Sequence, residues 1–368
     1  MKTDRWKKSF YTLLIRIFIM DYTYILDKIY QKPLKVAEGE CREYLRKIFE
    51  FHLRNTPYWR GKAENVDLDE IFQGSLNEVF EKVFNSGLAV EEDYLRSNWL
   101  DFVPDGYRGR IRFYQSSGTT RERAIGHWDR GYSSALLRYL RESLDGIYGL
   151  DSIYNESHQM RALAHGPYGW YQDEISELVW SYGGVLYFIG IETEGLKKVY
   201  AKYGTEALLK ALKPLVRYTE RVMKKDRINT VRSAPPLMPL FEEHAENIET
   251  IMISGVGINR DLFSYLRETF ENAALIPFYG YYGFGDLVGI QKGGSFWYYP
   301  NHPFTIIFPL KTSGDGYRIV RYNERGLVGV IIARPELLIV KVEDETAIRV
   351  PPEGPFGWDG FGDPERRV

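Results

Sequence analysis

Cysteine is almost missing from this chain. Cys41 is its only one, which excludes an intramolecular disulfide and a cysteine zinc cluster and fits a reducing, cytoplasmic setting. A single catalytic thiol is the other use such a residue could have. The six histidines include no i, i+4 pair and no Glu-flanked zinc pattern, so a protein-ligated transition metal is not expected. Positive charge is not in excess either. Lys and Arg total 48 against 50 Asp and Glu, for a net charge of -2, which argues against a phosphate backbone as partner and predicts no nucleic acid. Long hydrophobic runs are lacking too: Tyr11 to Met20 is apolar but is interrupted by Arg16, and falls well short of the roughly 20 residues that span a bilayer. No small-residue cleavage site follows it, so neither a signal peptide nor a membrane span is expected, and a core or partner-facing helix is the better reading.

What is present is an ordinary globular composition, with 44% hydrophobic and 27% charged residues over 368 positions, enough for two or three structural units. Residues 1–100 read as a helical region, with apolar periodicity in Glu40 to Phe51 and again in Leu76 to Val83. Residues 101–309 alternate short apolar runs with helical stretches. Ile111 to Tyr114, Arg161 to Ala164, Gly184 to Ile189, Thr250 to Ile253 and Ala274 to Ile276 read as strands, while Ser133 to Leu144, Glu206 to Lys224 and Arg260 to Phe270 read as helices. That alternation predicts an α/β fold with mainly parallel strands covered by helices. In residues 310–368, closely spaced runs (Tyr317 to Tyr322, Leu327 to Ala333, Leu337 to Val342) predict a small, mostly antiparallel β-rich subdomain. No repeat or long linker separates these parts.

Three glycine-bearing segments could carry chemistry. Gln115-Ser116-Ser117-Gly118-Thr119-Thr120 follows the first apolar run; its hydroxyls and backbone N–H groups suit a phosphate cradle, and a plain Ser/Thr-rich turn is the alternative. It lacks the Gly-Lys-Ser/Thr ending of a Walker loop. Arg121 and Arg123 lie just beyond it, placed either for phosphate or for neighbouring acids. Ser254-Gly255-Val256-Gly257 follows a strand and precedes a helix, where glycine admits a flat ligand to the backbone. Phe278 to Asp286 combines tyrosines with glycines, but no helix opens after it, which speaks against a dinucleotide fingerprint. The acids near the carboxyl end, Asp344 and Asp363, sit in charged runs that by default are solvated.

In this order the segments resemble the adenylate-forming superfamily of acyl-CoA synthetases, peptide-synthetase adenylation domains and luciferases, and within it the phenylacetate-CoA ligase and acyl-protein synthetase branch. The branch likeness extends to Arg54-Asn55-Thr56-Pro57-Tyr58-Trp59-Arg60, Leu88 to Asp101, Gly126-His127-Trp128 and Leu337 to Ile348. The resemblance implies the superfamily's large-domain fold: two mainly parallel sheets flanked by helices plus a small β-rich part, all one adenylation domain. It implies a ligase that uses ATP and magnesium to convert an aryl or fatty acid into an acyl-adenylate, then passes the acyl group to CoA, a carrier protein, a partner acyltransferase or reductase subunit, or another acceptor.

By the same resemblance, Ser116, Ser117, Gly118, Thr119 and Thr120 form the phosphate loop; Gly255, Val256 and Gly257 lie beside adenine; Tyr279 and Gly280 carry the adenine-stacking ring. The superfamily's final strand and acidic turn make Asp344 the expected ribose ligand, with Asp363 as the alternative. The chain departs from the pattern in three places. Arg121 stands where a glycine is usual, with Arg123 the only nearby cation to replace an absent lysine. Tyr282 and Gly283 fall where a Thr/Ser and a magnesium-binding Glu are expected, leaving Asp286 as the metal ligand. The superfamily's small carboxyl-terminal lid is not expected, since little sequence follows Asp344. The acyl pocket is expected at His165, Gly166, Tyr168 and Trp170. A catalytically degenerate nucleotide- or acyl-binding subunit acting with a partner enzyme is the alternative function.

Overall fold

A computed structural model describes residue 25 and residues 34–116, 124–254, 258, 260–314 and 316–367. The apolar run Tyr11 to Met20, the phosphate-loop residues Ser117 to Arg123, and Gly255 to Gly257 lie outside the described residues. Among the described residues the α-helices of eight residues or more are α1 (Leu34–Asn55), α2 (Leu76–Asn85), α3 (Arg130–Tyr148), α4 (Trp170–Ser181), α5 (Thr193–Lys225) and α6 (Arg260–Thr269). The first strands are β1 (Ile111–Gln115), β2 (Ile125–Asp129), β3 (Arg161–Gly166), β4 (Val185–Gly190), β5 (Thr230–Ser233), β6 (Thr250–Ile253) and β7 (Ala274–Tyr281). They are followed by β8 (Gly285–Lys292), β9 (Ser295–Tyr298), β10 (Thr305–Ser313), β11 (Gly316–Ile319), β12 (Arg325–Arg334), β13 (Leu337–Val350) and β14 (Gly360–Arg366).

The chain divides into two compact units. One comprises residues 1–113, 127–136 and 299–368, the other residues 114–126 and 137–298. The second holds the parallel part: β4, β3, β5, β6 and β7 lie side by side, each neighbour parallel, and β8 and β9 then add antiparallel. All four residues of β6 are buried, as expected of a strand with helices on both faces. The sequence reading of Thr250 to Ile253 coincides with this strand. β7, in contrast, runs five residues past the Ala274 to Ile276 estimate, because Tyr279 and Gly280 pair with Leu287 and Asp286 of β8 and so belong to the strand.

In the first unit β11, β10, β12, β13 and β14 are neighbours in that order, all antiparallel, as the spacing of apolar runs predicts. The superfamily resemblance anticipates two mainly parallel sheets; the parallel pairings here are confined to β3 to β7. β10 crosses Pro309, whose partner is Val328. The expected acidic turn after Val342 is instead an irregularity within β13. Val342 pairs with Gly329 and Thr346 with Leu327, leaving Glu343, Asp344 and Glu345 opposite one residue, a bulge.

Helix α2 begins with a capping box in which Ser75 Oγ accepts from the Glu78 amide and the Glu78 carboxylate from the Ser75 amide at 2.7 Å; it buries Leu76, Val79, Phe80, Val83 and Phe84. α1 is anchored by Tyr44, whose hydroxyl donates to the Ala333 carbonyl at 2.7 Å. The interior of this unit is unusually polar. Arg334 and Glu336 are fully buried and paired at 3.0 Å, with the guanidinium 3.8 Å from the Tyr132 ring centre. His52 and His127 donate to the carbonyls of Arg334 and Glu336, each at 2.7 Å.

Candidate active site

Ligands of open parallel α/β sheets bind beyond the carboxyl ends of the strands. In the second unit those ends are Gly166 on β3, Gly190 on β4, Ser233 on β5, Ile253 on β6 and Tyr281 on β7, and of the described sequence-predicted residues His165, Gly166, Tyr168, Trp170, Tyr279 and Gly280 lie at or beside them. The turn Gly166 to Gly169 joins β3 to α4 and puts Trp170 at the first helical position, with Gly169 at φ 106°, a backbone setting that favours glycine. A Cβ on Gly166 would overlap the ring of Tyr171, whose hydroxyl donates to the His165 carbonyl at 3.1 Å. Trp170 is buried and reaches Gly280: its Cη2 would lie 3.3 Å from a Cβ at that position. One residue of the expected acyl pocket thus meets one of the expected adenine motif. Tyr279 itself is half-buried, with its ring 6.4 Å from that of Phe284 at 21° and 5.7 Å from that of Tyr298.

His165 and Tyr168 behave differently from each other. His165 is buried and both ring nitrogens are engaged, Nδ1 with Ser233 Oγ at 3.0 Å and Nε2 with Thr219 Oγ1 at 2.8 Å. Burial lowers its pKa to about 4, so the ring is neutral at neutral pH. Tyr168 is 63% exposed and covers Gly190, whose missing side chain leaves room for its ring.

The phosphate-loop candidates are represented by Ser116 alone. Its amide donates to the Ala124 carbonyl at 2.8 Å and its Oγ accepts from the Ala124 amide at 2.8 Å. Ser116 and Ala124 are therefore joined by two hydrogen bonds. The same strand supplies Tyr114, whose hydroxyl donates to the Asp173 carboxylate at 3.0 Å, tying β1 to α4.

Asp286 has an unexpected environment. It is fully buried and forms an ion pair with Arg232 of β5. The same guanidinium donates to Glu174 of α4 at 3.2 Å, and Glu174's second oxygen accepts from the Asp286 amide at 3.0 Å. Arg232 lies between the rings of Tyr171 and Phe278, 4.2 and 5.1 Å from their centres. Burial raises Glu174 to about 7, with the Arg232 charge opposing.

This set does not fit magnesium as the sequence suggests. Magnesium prefers oxygen donors in near-octahedral geometry and retains several waters, whereas the Asp286 carboxylate is dry and already neutralised by a guanidinium. Nor, among the described residues, does any group of three or more His, Cys, Asp and Glu side chains suit a metal. In this structure Asp286 belongs to a buried charge cluster with Arg232 and Glu174. Arg232 and Glu174 escape a sequence reading: Arg232 sits in the short strand Thr-Val-Arg-Ser, whose single apolar residue gives no strand pattern, and Glu174 looks like any helix surface acid.

Asp344 belongs to the other unit. It is exposed within the β13 bulge, and its carbonyl accepts from the Arg367 amide at 3.2 Å. Asp363 sits in a second irregularity, between the pairs Thr346–Glu365 and Ile348–Gly362, at φ 46°.

The fold is similar to that of a solved CoA ligase. The solved structure of 2-hydroxyisobutyryl-CoA ligase in an open conformation with 2-HIB-AMP and CoA is similar over 92% of this chain and 75% of that one, with a TM-score of 0.62 and 13% identity. The same enzyme in its thioesterification state, again with 2-HIB-AMP and CoA, gives a TM-score of 0.62 at 14% identity over 92% and 68%. Its postadenylation state with R3-HIB-AMP gives 0.61 at 12% over 92% and 68%. At such identity the likeness is one of fold. No family model matches the sequence, and no curated protein matches it. No helix among the described residues is long and apolar enough to cross a membrane.

Proposed function

We propose that this chain activates a carboxylic acid with ATP, forming an acyl-adenylate and passing the acyl group to a thiol or another acceptor. The observation that carries the reading is the packing of Trp170 against Gly280, at the carboxyl ends of parallel strands in a fold shared with an acyl-CoA ligase that binds an acyl-AMP. In this reading a substrate carboxylate oxygen attacks the α-phosphorus of ATP, the bond to the bridging oxygen of the β-phosphate breaks, and pyrophosphate leaves. The protein contributes by positioning and by offsetting charge.

Ser116, Ser117, Gly118, Thr119 and Thr120 hold the phosphates, with Arg123 in place of a lysine. Gly255, Val256, Gly257, Tyr279 and Gly280 bound the adenine, and Asp344 accepts the ribose hydroxyls. Trp170, with Gly166 and Tyr168 beside it, walls an apolar site suited to an aryl or fatty acid, and His165 braces the strand beneath. Residues 1–368 act in this as one adenylation domain. No step is assigned to magnesium, since Asp286 is spent on Arg232.

That ion pair also favours a second reading, in which the fold binds nucleotide or acyl group as a subunit for a partner enzyme. Carboxylate-dependent exchange of labelled pyrophosphate into ATP, across a panel of aryl and fatty acids, decides between the two. Exchange with one acid class is expected. Protein that binds ATP and exchanges with none of the acids would overturn the enzymatic reading.

A further inference from the structure

Helix α5 is largely unburied. Among its described side chains none between Glu194 and Tyr218 is buried, and Tyr200, Tyr203, Leu209 and Tyr218 are exposed by 54, 63, 63 and 46%. It is also strongly basic, with nine Lys and Arg against three Glu in a chain whose net charge is -2. After Gly204, where the backbone leaves the helical region at φ 77°, the cations fall into order. Lys210, Lys213, Arg217, Arg221 and Lys224 follow one another at steps of three or four residues, which puts them on one face over about 21 Å of helix. All five are exposed.

Some helix cations are matched by an acid one turn away. Lys47 pairs with Glu43 at 2.5 Å, Arg138 with Glu142 at 2.7 Å, and Lys198, early on α5 itself, with Glu194 at 2.5 Å. Among the described residues the five side chains of the stripe make no ion pair, although Glu206 and Glu220 stand four residues before Lys210 and Lys224. A row of like charges raises the free energy of the isolated fold. It is relieved when carboxylates approach.

We propose that this stripe is the docking surface for a protein partner that presents carboxylates along a helix. Charge complementarity fixes the sign, and the spacing fixes the form. Steps of three and four residues separate the cations by about 4.5 to 6 Å along the axis, the spacing of acids at i, i+3 and i+4 on a facing helix. Leu209 and Tyr218 stand nine residues apart, on opposite sides of the stripe. They frame it as the apolar border of a protein contact, in which Tyr and Arg are enriched. A lipid surface would require those side chains on a single apolar face. The same helix of a second copy would set like charge against like.

The test measures binding by fluorescence anisotropy and needs no catalytic activity, so it stands whether or not adenylation is observed. The probe is a labelled 20-residue peptide, alanine-based and helical, with Glu at i, i+3, i+4 and i+7. Its controls are a Gly/Ser peptide of equal charge and vesicles containing phosphatidylserine. Binding of the helical peptide is expected to weaken as salt rises and to fall at least tenfold in the Lys213→Glu, Arg217→Glu, Arg221→Glu triple variant. These sites are exposed, so folding of the variant is checked by its unfolding midpoint. Equal affinity for the disordered peptide, preferential binding to vesicles, or unchanged affinity in the variant would each overturn the proposal.

Discussion

Gly280 and Asp286 are register partners across the β7–β8 hairpin, and the Asp286 carboxylate occupies the space that a side chain at position 280 would need. The glycine of the expected adenine motif is thus also the glycine that lets a buried carboxylate reach its arginine.

Gly280→Ala should therefore destabilise the protein by about 1–3 kcal/mol, the range for overpacking a filled site. Urea unfolding measures it. A neutral effect would mean that the hairpin relaxes freely and that the glycine serves ligand approach alone.

Arg232 carries a larger share. It is buried with two carboxylates and faces two aromatic rings. Replacing it by Met leaves Glu174 and Asp286 without a counter-charge, at a cost of about 3–5 kcal/mol. Removing all three charges together, as Arg232→Met, Glu174→Gln, Asp286→Asn, should recover part of that loss. A triple variant no more stable than the single one would show that the charges do not act as a unit.

Acid sensitivity follows from four buried histidines. His52 and His302 are lowered to about 3, His127 and His165 to about 4, in each case chiefly by burial. In the unfolded chain they bind protons near 6.5; in the folded protein they bind them only below about 4. The unfolded state therefore takes up more protons between these limits, and stability falls as pH drops from about 6.5 toward 4. Glu174 works in the opposite sense. Its pKa, raised to about 7 from 4.5, keeps a proton on the folded state, so its contribution falls as pH rises through that window. Urea midpoints across this range should show the histidine effect; Glu174→Gln should steepen the acid-side loss, and His165→Gln should make it shallower.

Trp170 gives a prediction within the proposed reaction. Trp170→Leu should raise KM for the acid in the exchange assay by about tenfold, in keeping with roughly 1–3 kcal/mol for a changed apolar contact. KM for ATP should stay near its original value. A change confined to ATP would place the indole on the nucleotide side.

The sequence was most informative where a segment's environment is simple. β6 is buried on all sides and reads as the apolar run Thr250 to Ile253. α6 has its apolar residues on one face, with Phe263 and Leu266 buried, and its start at Arg260 was legible. Reading failed where a polar residue sits inside. β5 offers no apolar pattern, with Val231 its one apolar residue beside Thr230, Arg232 and Ser233, and β8 opens on Gly285 and Asp286, although all four residues of β5 and the first five of β8 are buried.

The order of strands and helices, the hydroxyl-rich segment after β1 and the tyrosine–glycine pair on β7 were set by local sequence, through periodicity and backbone preference. The identity of Asp286's partner was decided only in three dimensions. Glu174 lies 58 residues from Arg232 and 112 from Asp286. No local propensity links positions so far apart. They meet because α4 packs on strands whose order is not their order in the chain, and because burial then obliges each charge to find its opposite.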